Sequence, residues 1–97
     1  MKILAFEHKL PGATADQFQQ YANDETSKVS EYLQTGIIHE LYFRADKDEA
    51  VLILDCQSID KARKILEALP FARENLITFE LLPLKAYSGY ERQFVNA

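Results

Sequence analysis

An α+β fold, with one four-stranded antiparallel sheet carrying two helices on a single face, is predicted by three observations on this 97-residue chain. Four short segments carry apolar residues with a strand's period or as a short apolar run, and two longer ones carry them at helical spacing. Their order along the chain is βαββαβ. The second and third strands are separated only by the polar stretch Asp46-Lys47-Asp48-Glu49, an ordinary length for a hairpin connection. The run Ala50-Val51-Leu52-Ile53-Leu54 is apolar at both parities, where a strand with one wetted face would alternate.

The elements follow in order. Ile3 to Lys9 reads as the first strand and is broken by Leu10-Pro11-Gly12-Ala13. Thr14-Ala15-Asp16-Gln17 has the form of a capping box, with Thr14 as N-cap and Gln17 three residues on. The helix it opens carries Phe18, Tyr21, Ala22, Val29, Tyr32 and Leu33 at helical spacing and closes at Gly36, a residue suited to a left-handed C-terminal turn. Ile37 to Arg44 is the second strand and Ala50 to Cys56 the third. Ser58 is the next N-cap, Ala62, Ile65, Leu66 and Leu69 form one stripe of the second helix, and Pro70 stops it. After the irregular connection Phe71 to Asn75 comes a fourth strand, Leu76 to Leu82. Pro83 lacks a backbone donor, which places that strand on an edge or at a bulge. Residues 88–97 form a polar–aromatic tail.

Right-handed crossovers then give the ferredoxin-like arrangement. The length suits one domain, 1–97. Lys and Arg number 11 against 15 Asp and Glu, a net charge of −4, and no basic cluster is present, which argues against a nucleic-acid ligand. Cys56 is the single cysteine, so neither an intrachain disulfide nor a thiolate metal cluster is expected, and its apolar neighbours suit a small buried hydrophobe. The first strand reaches charge too early for a signal peptide, and no segment approaches the ~20 apolar residues of a membrane span. A cytoplasmic protein with no membrane partner is expected.

Helices on one face leave the other face of the sheet bare. Strand parity divides Ile37, Leu41 and Phe43 from Ile38 and Tyr42, and Val51 and Ile53 from Leu52 and Leu54. Both sets are apolar, so the bare face should not meet water, and a second copy of the chain is the expected cover. Pro83, Tyr87, Tyr90 and Phe94 are candidates for locking such a dimer.

Lys9-Leu10-Pro11 after the first strand, Asp24-Glu25 inside the first helix, Leu33 to Gly36 at its end, Leu41-Tyr42-Phe43-Arg44, Leu69-Pro70 and Leu82-Pro83-Leu84 together resemble the muconolactone isomerase-like family of the dimeric α+β barrel superfamily, over nearly the whole chain. The resemblance implies a homodimer or ring of dimers and a site in a barrel cleft at a subunit interface. It also implies proton abstraction and return on a lactone ring without metal or organic cofactor. Asp24-Glu25 matches the family's acidic pair. His39-Glu40 stands where the isomerases have Arg-His, and Tyr42 where they have Trp. These departures bear on the substrate and leave the scaffold intact.

Read as chemistry, polar side chains set among apolar strand residues are the candidates. Glu40 and Glu80 have the parity to share an apolar cavity, where two carboxylates would raise one another's proton affinity and serve as acid and base. An ion pair of Glu40 with Arg44 is the structural alternative. His39 is a further candidate, placed either on the helix side or at the sheet end. Glu7 and His8 are ambiguous between site and rim. Tyr21 and Glu25, four apart on the helix, can touch and with Tyr42 form a polar corner. Leu52 and Leu54 are the expected cleft walls, with Arg44 near the substrate. The Asp46–Glu49 cluster lacks a calcium-loop pattern and reads as a solvated hairpin; no metal site is expected. The leading reading is a cofactor-independent isomerase acting by proton transfer on a small organic molecule. The alternatives are a cofactor-free monooxygenase on the same barrel and a non-catalytic ligand-binding or assembly module.

Overall fold

In a computed structural model, which describes residues 1–89, the chain forms β1 (Lys2–Lys9), α1 (Ala15–Gln34), β2 (Ile38–Phe43), β3 (Ala50–Asp55), α2 (Ile59–Glu67), a short α3 (Pro70–Arg73) and β4 (Ile77–Pro83). The strands make one antiparallel sheet in the order β2-β3-β1-β4. This is the ferredoxin-like topology expected from the element order. Tyr90 and Phe94, and most of the tail, lie outside the described residues.

Local chemistry sets the helix ends. At α1, Gln17 donates its backbone N–H to Thr14 Oγ1 at 3.3 Å, and Thr14 donates its own to Gln17 Oε1 at 2.9 Å, a complete capping box. After the Thr35 C-cap, Gly36 turns the chain at φ +80°, where a side chain would be strained. At α2, Ser58 Oγ accepts from Lys61 N at 3.1 Å. Pro70 does more than end α2: it is the first residue of α3, where its missing donor and fixed φ cost nothing. Asn75, at φ +59°, then returns the chain to β4.

The core lies between the helices and one face of the sheet. Ile3 and Ala5 of β1, Leu52 and Leu54 of β3, and Ala62, Leu66 and Leu69 around α2 are all at most 2% exposed. Tyr32 ties α1 to α2 by donating its hydroxyl to the Ile65 carbonyl at 2.8 Å. Leu52 and Leu54 therefore do not line a cleft on the bare face, as the sequence suggested; they are core beneath the helices. Both parities of β3 are apolar, so its pattern does not distinguish the two faces, and β2 carries a bulge. Ile38 opposes Leu54 but Glu40 opposes Ile53, so His39 is an extra residue and the parity of β2 flips across it. Ile38 accordingly moves to the helix side and is 2% exposed.

The bare face carries the other parity. Leu4, Phe6, Val51 and Ile53 are half-buried across its centre, flanked by exposed Tyr42 and Leu82. Pro83 closes β4 on the sheet edge. Leu84 N–H points to Lys2 O at 2.9 Å, so by antiparallel alternation the missing donor of Pro83 faces away from the ladder. Among the described residues no helix is long and apolar enough to cross a membrane.

Truncating a fully enclosed core side chain leaves a cavity as well as losing its transfer energy. Leu54→Ala should cost about 2–5 kcal/mol in urea unfolding, with no dependence on protein concentration beyond that of the native chain. A cost below about 1 kcal/mol would contradict its placement under the helices.

Candidate functional site

At one end of the molecule α1 stands off the sheet and leaves a pocket of about 530 Å³, within the range of small-molecule sites. Its walls are mainly apolar, including Phe18, Val29, Leu33, Leu41, Phe43 and Phe71. Phe18 and Phe71 meet edge to face, ring centres 5.0 Å apart and planes at 85°. The ammonium of Lys9 lies 5.5 Å from the Phe18 ring centre.

Three acids line this space: Glu7 from β1, Glu25 from α1 and, from the hairpin, Asp48. Glu7 has the parity of Ile3 and Ala5, so it must point to the helix side. The β1–β3 register pairs residues as far as Phe6 and Val51. Just beyond, side chains take over: Glu7 Oε2 accepts from Ala50 N at 3.1 Å, and Glu49 Oε2 accepts from Lys9 N at 2.9 Å. Glu25 Oε1 accepts from Phe71 N at 2.9 Å. That donor belongs to the first turn of α3, whose N-cap Leu69 has no side-chain acceptor to offer, so α1 caps α3 across space.

Burial raises the proton affinity of Glu7 and Glu25. For Glu7, burial outweighs the Ala50 N–H and the charge of Lys9, with Glu49 and Asp48 adding to the rise. For Glu25, burial outweighs the Phe71 N–H, and the negative charge of Glu7 pushes the same way. Glu49, 8% exposed but shallow at the sheet end, goes the other way: the Lys9 N–H and the nearby Lys47 keep it ionised. Its Oε1 makes a charge contact of 3.3 Å with Lys47 Nζ. The hairpin acid expected to be solvated is thus a structural anchor.

The other predicted site residues are dispersed. Glu40 lies on the bare face and accepts a 2.6 Å hydrogen bond from the Tyr42 hydroxyl, which holds that phenol's pKa up. Glu80, on the same face, contacts His8 Nε2 at 3.0 Å. Glu40 and Glu80 stand on the two edge strands, three strand spacings or about 14 Å apart. Within one chain they therefore share no cavity. Arg44 turns to Asp46, with contacts of 2.8 and 2.6 Å, instead of to Glu40. His39, on the bulge, sits 3.8 Å from Asp55 Oδ2. Tyr21 donates to Glu74 Oε1 at 3.3 Å, so Tyr21 and Glu25 each hold the α3 segment rather than one another, and Tyr42 is on the opposite side of the sheet. Asp24 faces a separate shallow groove with Lys28 and Glu31. Cys56 is buried, and burial raises its thiol pKa. Among the described residues no three His, Cys, Asp or Glu side chains converge as a metal site.

Of the predicted site residues, Glu25 alone lines the pocket. Glu7 was ambiguous in the sequence, although its parity with Ile3 and Ala5 carried the signal.

No family model matches the sequence, and no curated protein matches it by sequence. Solved structures do share the fold. Muconolactone isomerase superposes with a TM-score of 0.74 at 19% identity, covering 90% of this chain and 91% of that one. The 5-chloro-2-hydroxyhydroquinone dehydrochlorinase of Burkholderia phenoliruptrix AC1100, solved with 2,5-dihydroxybenzoquinone, gives 0.61 at 20% identity, covering 92% and 98%. The chain thus shares a ferredoxin-like α+β fold with these two proteins. The resemblance read from its residues extends to the backbone of muconolactone isomerase itself.

The raised proton affinity of Glu7 has a thermodynamic sign. The folded state binds this proton more tightly than the unfolded chain, so the group's contribution is fully present below its unfolded pKa, near 4.5, and is lost as pH rises through the higher folded value. Glu7→Gln keeps an acceptor for Ala50 N–H but never ionises. It should raise the melting temperature at mildly alkaline pH and have little effect at strongly acidic pH; equal shifts at both would show that Glu7 is not desolvated.

Proposed function

We propose that the chain is a muconolactone isomerase-like enzyme that moves a proton on a small carbonyl-bearing ring, with the pocket between α1 and the sheet as its site. The observation that carries this reading is the pair Glu7 and Glu25: two acids of raised proton affinity in one apolar cavity. Such a pair divides into acid and base because both cannot ionise freely. Each acid has one cation favouring its ionised form, Lys9 for Glu7 and Arg73 for Glu25, and acidic neighbours opposing it; we assign the base to Glu7, whose Lys9 also lines the pocket, and the acid to Glu25. Glu7 as carboxylate then takes a proton from the carbon next to the ring carbonyl. Neutral Glu25 donates a hydrogen bond to the oxygen on which charge develops, and Glu7 returns the proton at the other end of the conjugated system. Atoms and electrons balance within the substrate, and the fold relatives fit a ring-shaped ligand.

The test is wash-in of solvent deuterium and double-bond migration in an unsaturated lactone, followed by NMR. Glu7→Gln should lower the rate by about 10²–10⁴-fold without loss of fold. If Glu40→Gln or Glu80→Gln abolishes turnover while Glu7→Gln does not, the chemistry belongs to the bare face instead.

The same reading includes a homodimer joined through the bare sheet face, supported by the apolar band of Leu4, Phe6, Val51 and Ile53 and by exposed Leu82. Ile53→Asp should leave the core intact and shift the protein towards monomer in light scattering, whereas a wild-type chain that is already monomeric at micromolar concentration would remove this part of the reading.

A further inference from the structure

We propose that this pocket selects an uncharged ring compound and discriminates against carboxylates. The inference rests on the pocket's being the substrate site. It goes beyond that reading in naming the charge class of the ligand.

The ionisable residues lining the pocket are three acids, Glu7, Glu25 and Asp48, against Lys9 alone. The Lys9 ammonium is already placed against the Phe18 ring. A carboxylate needs a fixed, preferably bidentate donor to offset its loss of water. Among the described residues the arginines lie elsewhere. Arg44 is held by both oxygens of Asp46, Arg63 lines a different cavity by α2 and β4, and Arg73, near enough for its charge to act on Glu25, lines that other cavity and is paired with Glu74 at 3.1 Å. The backbone donors nearest the acids are taken as well, Ala50 N by Glu7 and Phe71 N by Glu25.

What the pocket offers is suited to a neutral ligand. Glu7 and Glu25 each spend one oxygen on a backbone N–H, and among the described residues the other oxygen of each makes no hydrogen bond. Thr26 and Ser30 of α1 add hydroxyls to the lining. These groups can meet ring carbonyls and hydroxyls, and the aromatic walls can meet the ring. A second negative charge brought beside Glu7 in low-dielectric surroundings would be repelled, while an uncharged group of equal size would not.

The experiment compares two ligands that differ in charge but hardly in size: a butenolide bearing a carboxymethyl group, and its carboxamide. Binding to the intact chain is measured by calorimetry near neutral pH. The amide should bind at least roughly tenfold more tightly than the acid. Glu7→Gln, which keeps an acceptor for Ala50 N–H, and Asp48→Asn should each narrow that gap, while Glu40→Gln should leave it unchanged. Equal or tighter binding of the acid, binding of neither compound at millimolar concentration, or a gap indifferent to both pocket variants would overturn the proposal. Failure here is distinguishable from failure of the functional reading. Glu7-dependent turnover of the acid would defeat the charge selection and leave the site assignment standing. Selective amide binding without proton exchange would do the reverse for the catalysis.

Discussion

The backbone pairing between β1 and β3 stops at Phe6 and Val51, and two carboxylates carry it further. Past that pair the strands no longer pair, so the N–H groups of Lys9 and Ala50 would be left without partners at a partly buried sheet end. Such orphans cost about 1–3 kcal/mol each. Glu49 takes the first and Glu7 the second, each reaching across to the opposite strand. One consequence is a hairpin end anchored without a full backbone ladder. The other is that Glu7 is held under α1 in a position its chemistry resists, since burial penalises its charge. The two acids make the same kind of bond and titrate in opposite directions. Glu49 has Lys47 beside it at the sheet end, whereas Glu7 stands in the pocket among aromatic and aliphatic walls.

Glu25 repeats this arrangement from the helical layer. A four-residue helix beginning at Pro70 cannot cap itself with Leu69, and α1 supplies the acceptor instead. Tyr21, one turn earlier, holds the other end of the same short helix through Glu74. Phe71 is thereby fixed against Phe18, and the pocket wall is set by the same contact that orients the second acid. Each pocket carboxyl is fixed by its structural bond and keeps one oxygen for a ligand. Preorganisation of this kind is what makes a proton-transfer group effective, because no ordering remains to be done when substrate arrives.

Much of this was legible in the residues, and the reasons differ by element. Capping boxes and turn glycines act locally, so Thr14, Gln17, Ser58 and Gly36 marked the helix ends well. Pro83 marked an edge strand because a missing donor has few places to go. The faces of the central strands were not legible, since Val51 and Ile53 are as apolar as Leu52 and Leu54. On β2 the alternation that groups Tyr42 with Glu40 stops at His39, where one extra residue puts Ile38 on the helix side. The site itself depends on contacts between residues distant in sequence, Glu7 with Ala50 and Glu25 with Phe71. Spacing could not reveal them, although family resemblance pointed to Glu25 and strand parity to Glu7.

The two faces of the sheet differ in how their polar groups are satisfied. On the bare face the charged groups next to the apolar band are already paired within the chain, Glu40 with Tyr42 and Glu80 with His8. A second sheet laid over that face would cover hydrogen-bonded carboxylates rather than orphans, which lowers the penalty of burying them. On the helix side the opposite holds, with acids that keep an open oxygen in an apolar space. An apolar surface whose polar groups are satisfied internally suits assembly, and one whose polar groups remain unsatisfied suits a ligand. Because consecutive strand residues face opposite ways, Phe6 and Glu7 lie on the proposed assembly face and in the proposed site from adjacent positions on one strand. Substitutions one residue apart on β1 should therefore separate assembly from chemistry.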